Sequence, residues 1–146
     1  MKSDLIEKIK SRGYWRINFQ PLVAIQKLKN LSDCKNLVEK NSVALRGWDY
    51  PHFPNRSDEK TGLETGNNYY QGWIDWWSHK EFWRMYQSGQ FLHYLGLRED
   101  WYEEDGWFGD TAKEIKPGSS LSVVGTIYQI TEIYEFLSRL TNQGIY

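Results

Sequence analysis

The chain has 146 residues, enough for one domain with a real core and too few for two stable ones. Hydrophobic residues make up 40% and charged residues 25%, an ordinary globular balance, and no stretch approaches the ~18 apolar residues of a membrane span. A single cysteine, Cys34, excludes an intrachain disulfide, and Met1 to Arg12 lacks an apolar signal segment, so a reduced, cytoplasmic protein is expected.

The net charge of −1 conceals an uneven distribution. Residues 1–46 carry ten Lys/Arg against four Asp/Glu, and residues 47–110 carry five against twelve. The two stretches are expected to face and neutralise each other, with a basic surface for an anionic partner as the alternative. Aromatic residues reach 16%, with 8 Trp, 10 Tyr and 6 Phe. Rings build cores from few positions and also recur at the centres of binding sites.

Leu5, Ile6 and Ile9 fall at helical spacing behind Ser3, which predicts a short helical turn over 3–11, or else a frayed arm. After Gly13 the run from Tyr14 to Gln20 alternates cleanly. Trp15, Ile17 and Phe19 share one face and Arg16, Asn18 and Gln20 the other, as in a half-buried strand ended by Pro21. Ser32 reads as an N-cap, and Cys34, Leu37 and Val38 at i, i+3, i+4 predict a helix over 32–40. On that helix the thiol serves as a small buried hydrophobe. Val43 to Tyr50 reads as a second strand, stopped by Pro51.

Residues 51–68 hold two prolines and two glycines and are expected to form the longest structureless stretch, a length that in compact domains often carries function. Tyr69 to Trp77 follows as a strand with rings on both faces. Phe82–Gln87 and Gln90–Leu97 flank Ser88-Gly89 as a hairpin, with one long strand bulged at the glycine as the alternative. The acids of 99–105, followed by Gly106 and Gly109 around Trp107 and Phe108, predict a surface loop. Beyond the break at Lys116–Ser120, Val123, Ile127, Ile130, Tyr134 and Leu137 form the strongest helical pattern, widened by Val124, Ile133 and Leu140. A helix this apolar is expected to be covered over most of its surface, although its β-branched start also fits a strand.

Three histidines, His52, His79 and His93, are suited to proton transfer at neutral pH, but none lies near another in sequence or shows metal-ligand spacing. His93 alternates with Phe91 and Leu95 and reads as a core histidine, whereas His52 sits at the mouth of the long loop. A metal-assisted hydrolase or nuclease would need Asp49, Asp75 and a lysine to converge; Asp58-Glu59-Lys60 and Glu114-Ile115-Lys116 have a suitable form, but solvated surface charge accounts for both. Acids at 99–105 suit sugar chemistry only at a spatial separation that a sequence does not give. Single-stranded nucleic acid would meet Lys8, Lys10, Arg12 and Arg16 beside Tyr14 and Trp15, but a charge near zero is not the basic footprint of a dedicated binder. Glycine-rich phosphate loops and a Gly-x-Ser-x-Gly elbow are absent from the sequence.

The expected fold is α+β, a single domain over 1–146: an antiparallel sheet of about five strands with a long C-terminal helix and a shorter N-terminal helix packed on one face. The chain stops at Gly144-Ile145-Tyr146 as another strand could begin, so either the sequence is the N-terminal part of a longer protein or its end pairs back into the sheet. The expected function is that of an intracellular interaction module whose aromatic surface recognises another protein or peptide. Trp48, Tyr50 and His52 are the candidates from one loop margin and Trp101 and Trp107 from the other. No catalytic residue, metal or cofactor is assigned, and the composition leaves the oligomeric state open.

Overall fold

A computed structural model describes residues 2–23, 28–105 and 114–146. The elements run α1 (Lys2–Lys10), β1 (Tyr14–Phe19), α2 (Leu31–Asn41), β2 (Thr61–Thr65), β3 (Tyr69–Trp76), β4 (His79–Tyr86), β5 (Phe91–Gly96), a 3-10 helix (Arg98–Glu104) and α3 (Val123–Asn142). The five strands form one antiparallel sheet in the order β1-β5-β4-β3-β2. Strands β2 to β5 are a meander of local hairpins, and β1 closes it by pairing with β5, Ile17 opposite His93.

Strand period sets which residues meet which helix. Odd-numbered positions of β4 and β5, among them Trp83, Met85, Phe91 and Leu95, form the main core with Ile17 of β1, Cys34 and Val38 of α2, and Ile133, Phe136 and Leu140 of α3. The alternate face carries Phe82, on which Leu5 and Ile9 of α1 pack. Thus α2 and α3 share one face of the sheet, while α1 covers the other. Two cores of unequal size result, each with its own helix cover.

Several local expectations change. Val43 to Tyr50 is not a strand: only Val43 and Tyr50 pair, through reciprocal backbone bonds of 2.8 and 2.7 Å, and residues 44–49 form a tight protruding loop between them. Gly47 takes a left-handed φ of +76°, which turns the run back on itself instead of leaving it extended. The second strand lies instead at Thr61–Thr65, inside the stretch expected to be structureless, where Gly62 opposes Trp73. Helix α2 starts one residue early, with Asn30 at the cap and its N–H donated to Asp33 Oδ2 at 2.9 Å. Residues 99–105 are no surface loop: Asp100 and Trp101 are buried in the 3-10 segment, and Asp105 is buried at its C-cap. The chain end forms no strand; Ile145 enters the core and the Tyr146 hydroxyl donates to the Gly89 carbonyl at 2.8 Å.

The basic amino-terminal stretch does meet the acidic middle. Lys8 pairs with Asp75 at 2.9 Å and Glu104 at 3.3 Å, and Arg12 pairs with Glu103. Buried Lys80 joins the same acids, at 2.8 Å from Asp75 and 2.6 Å from Glu104. The Trp101 ring lies beneath these cations, with the Arg12 guanidinium 4.1 Å from its centre. Positive charge held over a desolvated ring face is favourable, so the cluster fastens α1 and the 3-10 segment to the sheet.

Candidate recognition cleft

On the α3 side of the sheet an open cleft of about 1000 Å3 runs between the 44–50 loop, the β3–β4 turn, the 3-10 segment and the start of α3. Its floor is built on Glu81. The carboxylate is buried on β4 and accepts two hydrogen bonds, with a third polar group beside it. His79 Nε2 lies 2.6 Å from Oε2, and the His52 backbone N–H donates to Oε1 at 3.0 Å. His93 Nε2 is 3.1 Å from Oε1 but off the axis of a formed hydrogen bond. His93 Nδ1 meets the Tyr50 hydroxyl at 3.0 Å. A carboxylate beside Nε2 favours the tautomer with its proton there, which leaves Nδ1 to accept from the phenol.

Burial pushes the Glu81 carboxyl upward, but the imidazoles of His79 and His93 beside it outweigh this and hold the group well below the usual carboxylate range. Burial moves Tyr50 the other way: loss of water, then the nearby charges of Glu81 and Glu132, push its phenol well above the usual value. Tyr50 is therefore a neutral donor at physiological pH.

Above this floor the indole of Trp48 stacks on His52, centroids 4.2 Å apart and 19° from parallel, and leans on His79 at 5.2 Å. His52 Nδ1 is paired with Asp49, whose other oxygen accepts the Phe53 N–H at 2.8 Å. Two carboxylate-held imidazoles thus sit 6.3 Å apart, centre to centre. The described contacts of His79 leave its Nδ1 open at the cleft wall, where it is competent to accept or donate a hydrogen bond to a ligand.

Two anchors hold the 44–50 loop. On α3, Glu132 receives the Arg46 guanidinium, with Nε at 3.1 Å. On β4, Trp83 Nε1 donates to the His52 carbonyl at 2.8 Å while Glu81 takes the His52 N–H, so both backbone groups of one residue are latched to two same-face positions of the strand. Opposite, β3 and β4 are joined by the two-residue turn Trp77-Ser78. Trp77 has φ +39°, a left-handed conformation in which an L side chain is strained and where Gly or Asn is the usual choice. Its indole is 63% exposed. Trp77 lines the cleft.

Of the residues singled out from sequence, Trp48, Tyr50 and His52 come together, Trp48 as exposed rim, Tyr50 as buried support and His52 as the ring on which Trp48 stacks. Trp101 lies elsewhere, buried on the α1 side beneath its cations, because the 3-10 turn points it inward. Trp107 falls outside the described residues. Asp49 and Asp75 are on opposite sides of the sheet, Asp75 engaged by Lys8 and Lys80, and among the described residues no three His, Cys, Asp or Glu side chains are grouped as metal ligands. Trp15 lines the cleft wall, apart from Lys8, Lys10 and Arg12, which carry acidic partners. Glu81, His79 and Trp77 were not picked out from sequence. His79 and Glu81 are two residues apart on a strand and so share a face, which was the available signal. No family model, curated protein or solved structure matches this chain.

Proposed function

We propose that this chain is a recognition module that takes a peptide segment of another protein, bearing Lys or Arg, into the cleft. The observation that carries this reading is Trp77: an exposed indole kept at a position whose backbone conformation disfavours it. Strain of that kind persists only where the surrounding structure holds it in place, and it gathers at ligand clamps and other functional sites. With Trp48 it offers two aromatic residues lining one cleft, the residue type that dominates binding energy at interfaces.

Charge supports the class of ligand. The described lining has four Lys/Arg against seven Asp/Glu, so a cationic segment is attracted and a polyanion repelled. Cations also bind well over indole faces. The open Nδ1 of His79 supplies a polar contact to fix register.

Selection of a random dodecapeptide phage library on the full chain tests the proposal. Enriched sequences are expected to carry Lys or Arg, and a synthetic peptide from them is expected to bind Trp48→Ala or Trp77→Ala at least tenfold more weakly, the loss of about 1.4 kcal/mol that a single anchor commonly exceeds. Enrichment of acidic peptides, or binding indifferent to both tryptophans, overturns it.

A further inference from the structure

Helix α1 packs on one part of its face of the sheet, where Leu5 and Ile9 meet Phe82 with Trp73 and Tyr94 beside it. Strand register sets the next two rows of that face: Asn18, Leu92, Arg84 and Gln71, then Tyr86 and Tyr69. Gln71 is buried, but Asn18 is exposed, and Leu92, Arg84, Tyr86 and Tyr69 are half-buried. Helix α3 is also less covered than its pattern predicts, with Val123, Val124 and Ile127 exposed. The open half of the sheet is chemically more specific.

Arg84 is its unusual group. Its Nε donates to Gln71 Oε1 at 2.8 Å and its Nη1 to the Tyr86 hydroxyl at 3.1 Å, while the guanidinium lies 4.0 Å from the centre of the Tyr69 ring. Gln71 is fixed in turn by donating to Glu64 at 2.6 Å. The fork is thus held in one orientation by neutral groups, and among the described residues no carboxylate pairs with it and Nη2 meets no acceptor. A partly desolvated charge in that state is costly, and a ligand oxyanion completes it. Arg16, exposed on β1, likewise has no acidic partner among the described residues. Tyr94 stands opposite Arg16 across the β1–β5 pair, and Tyr14 lies 6.1 Å from Tyr94.

We propose that this open half of the sheet binds single-stranded nucleic acid, with phosphates on Arg84 and Arg16 and bases stacked on the tyrosine rings beside them. Guanidinium forks suit phosphate, and rings on a sheet accept unpaired bases whatever their sequence. By strand spacing and rise the two arginine Cα atoms are roughly 12 Å apart. Gln71 draws the Arg84 head away from Arg16, so a ligand with anionic groups in series engages both. The charge is complementary to such a polymer: two arginines stand against Glu64, which is hydrogen-bonded to Gln71, whereas the cleft on the other face is lined mainly by acids. An acidic peptide is the poorer occupant, because its carboxylates satisfy the arginines but offer the rings no planar partner.

Fluorescence anisotropy of a labelled twelve-nucleotide oligothymidylate with the full chain tests this. Binding is expected at low salt, and the logarithm of affinity is expected to fall against that of salt with a slope of about −1.4, about 0.7 for each of two neutralised phosphates. Arg16→Ala and Arg84→Met are each expected to weaken binding and halve that slope. Tyr14→Ala and Tyr86→Leu are expected to weaken it at least fivefold with the slope unchanged, as loss of one stacked base requires. Arg16 and Tyr14 are exposed, so their variants decide the matter even where Arg84→Met fails to fold. Trp48→Ala and Trp77→Ala are expected to bind the oligonucleotide like the unaltered chain, which separates this surface from the peptide cleft. Absence of binding at low salt, a slope untouched by Arg16→Ala, or equal binding of polyglutamate or inorganic polyphosphate overturns the proposal.

Discussion

At the scale of single residues, the cleft separates side chains that hold the fold from side chains that spend stability. Trp77 belongs to the second group. Replacing it with Asn, which tolerates a positive φ, is expected to raise stability by about 1 kcal/mol in urea denaturation while weakening peptide binding. An unchanged or lowered midpoint with full binding would show that the indole supports the turn rather than a ligand. Glu81 belongs to the first group. Glu81→Gln removes a charged acceptor from a buried site and is expected to cost about 2 kcal/mol by the same measurement, whether or not ligand is present. Little of this was legible beforehand. Trp48, Tyr50 and His52 were visible as a loop-margin cluster, but Glu81 gathers groups from positions 52, 79 and 93, a convergence made by strand register and not by spacing along the chain.

At the scale of elements, the sheet solves a packing problem with glycine. Gly62 lies opposite Trp73 and Gly72 opposite Trp83, and a Cβ at either glycine would come within 2.6 Å of the facing ring. Each indole lies across the bare backbone of its neighbour, which explains glycine inside strands where it is otherwise unfavourable. Gly72→Ala is expected to cost about 2 kcal/mol by overpacking and to loosen the bond from Trp83 Nε1 to the His52 carbonyl. Thermal denaturation reads the first effect, and faster hydrogen exchange at the Trp83 indole reads the second. Element type was readable where periodicity was long: α1, β1, α2, the β4–β5 hairpin and α3 all fall close to their patterns. It failed where tertiary contact decides. Residues 43–50 have strand-like composition but find a partner only at their ends, and β2 forms among polar residues because β3 offers it an open edge.

At the scale of the molecule, acid is the condition that should expose the electrostatic design. Glu81, Asp75 and Glu104 are all held below their ordinary values: burial opposes this in each case, and the polar partners prevail, the imidazoles of His79 and His93 for the first, the ammonium groups of Lys80 and Lys8 for the others. Each group therefore binds a proton less readily in the folded chain than in the unfolded one. Their stabilisation is full above the ordinary values of 4.5 for Glu and 3.8 for Asp, and drains away as pH falls through the lower folded values. Unfolding free energy measured from pH 6 down to pH 2 is expected to fall, and Glu81→Gln is expected to flatten that slope; an equally steep slope in the variant would sink the assignment. On the neutral side, Cys34 is buried in the main core and its thiol is pushed up to about 11, by burial and then by the charge of Asp33. Alkylation by iodoacetamide at pH 8 is expected to proceed only as fast as the chain opens.

The double latch on His52 also constrains how this protein can change. Any replacement at Glu81 or Trp83 is felt first as a loss of folded chains, since the same bonds carry the sheet and the loop. Ala44, Leu45 and Gly47 at the tip lie outside that arrangement, and Gly47 has open space around it. New preferences for a bound segment are therefore most cheaply acquired at the tip, letter by letter, while the grip beneath it stays constant.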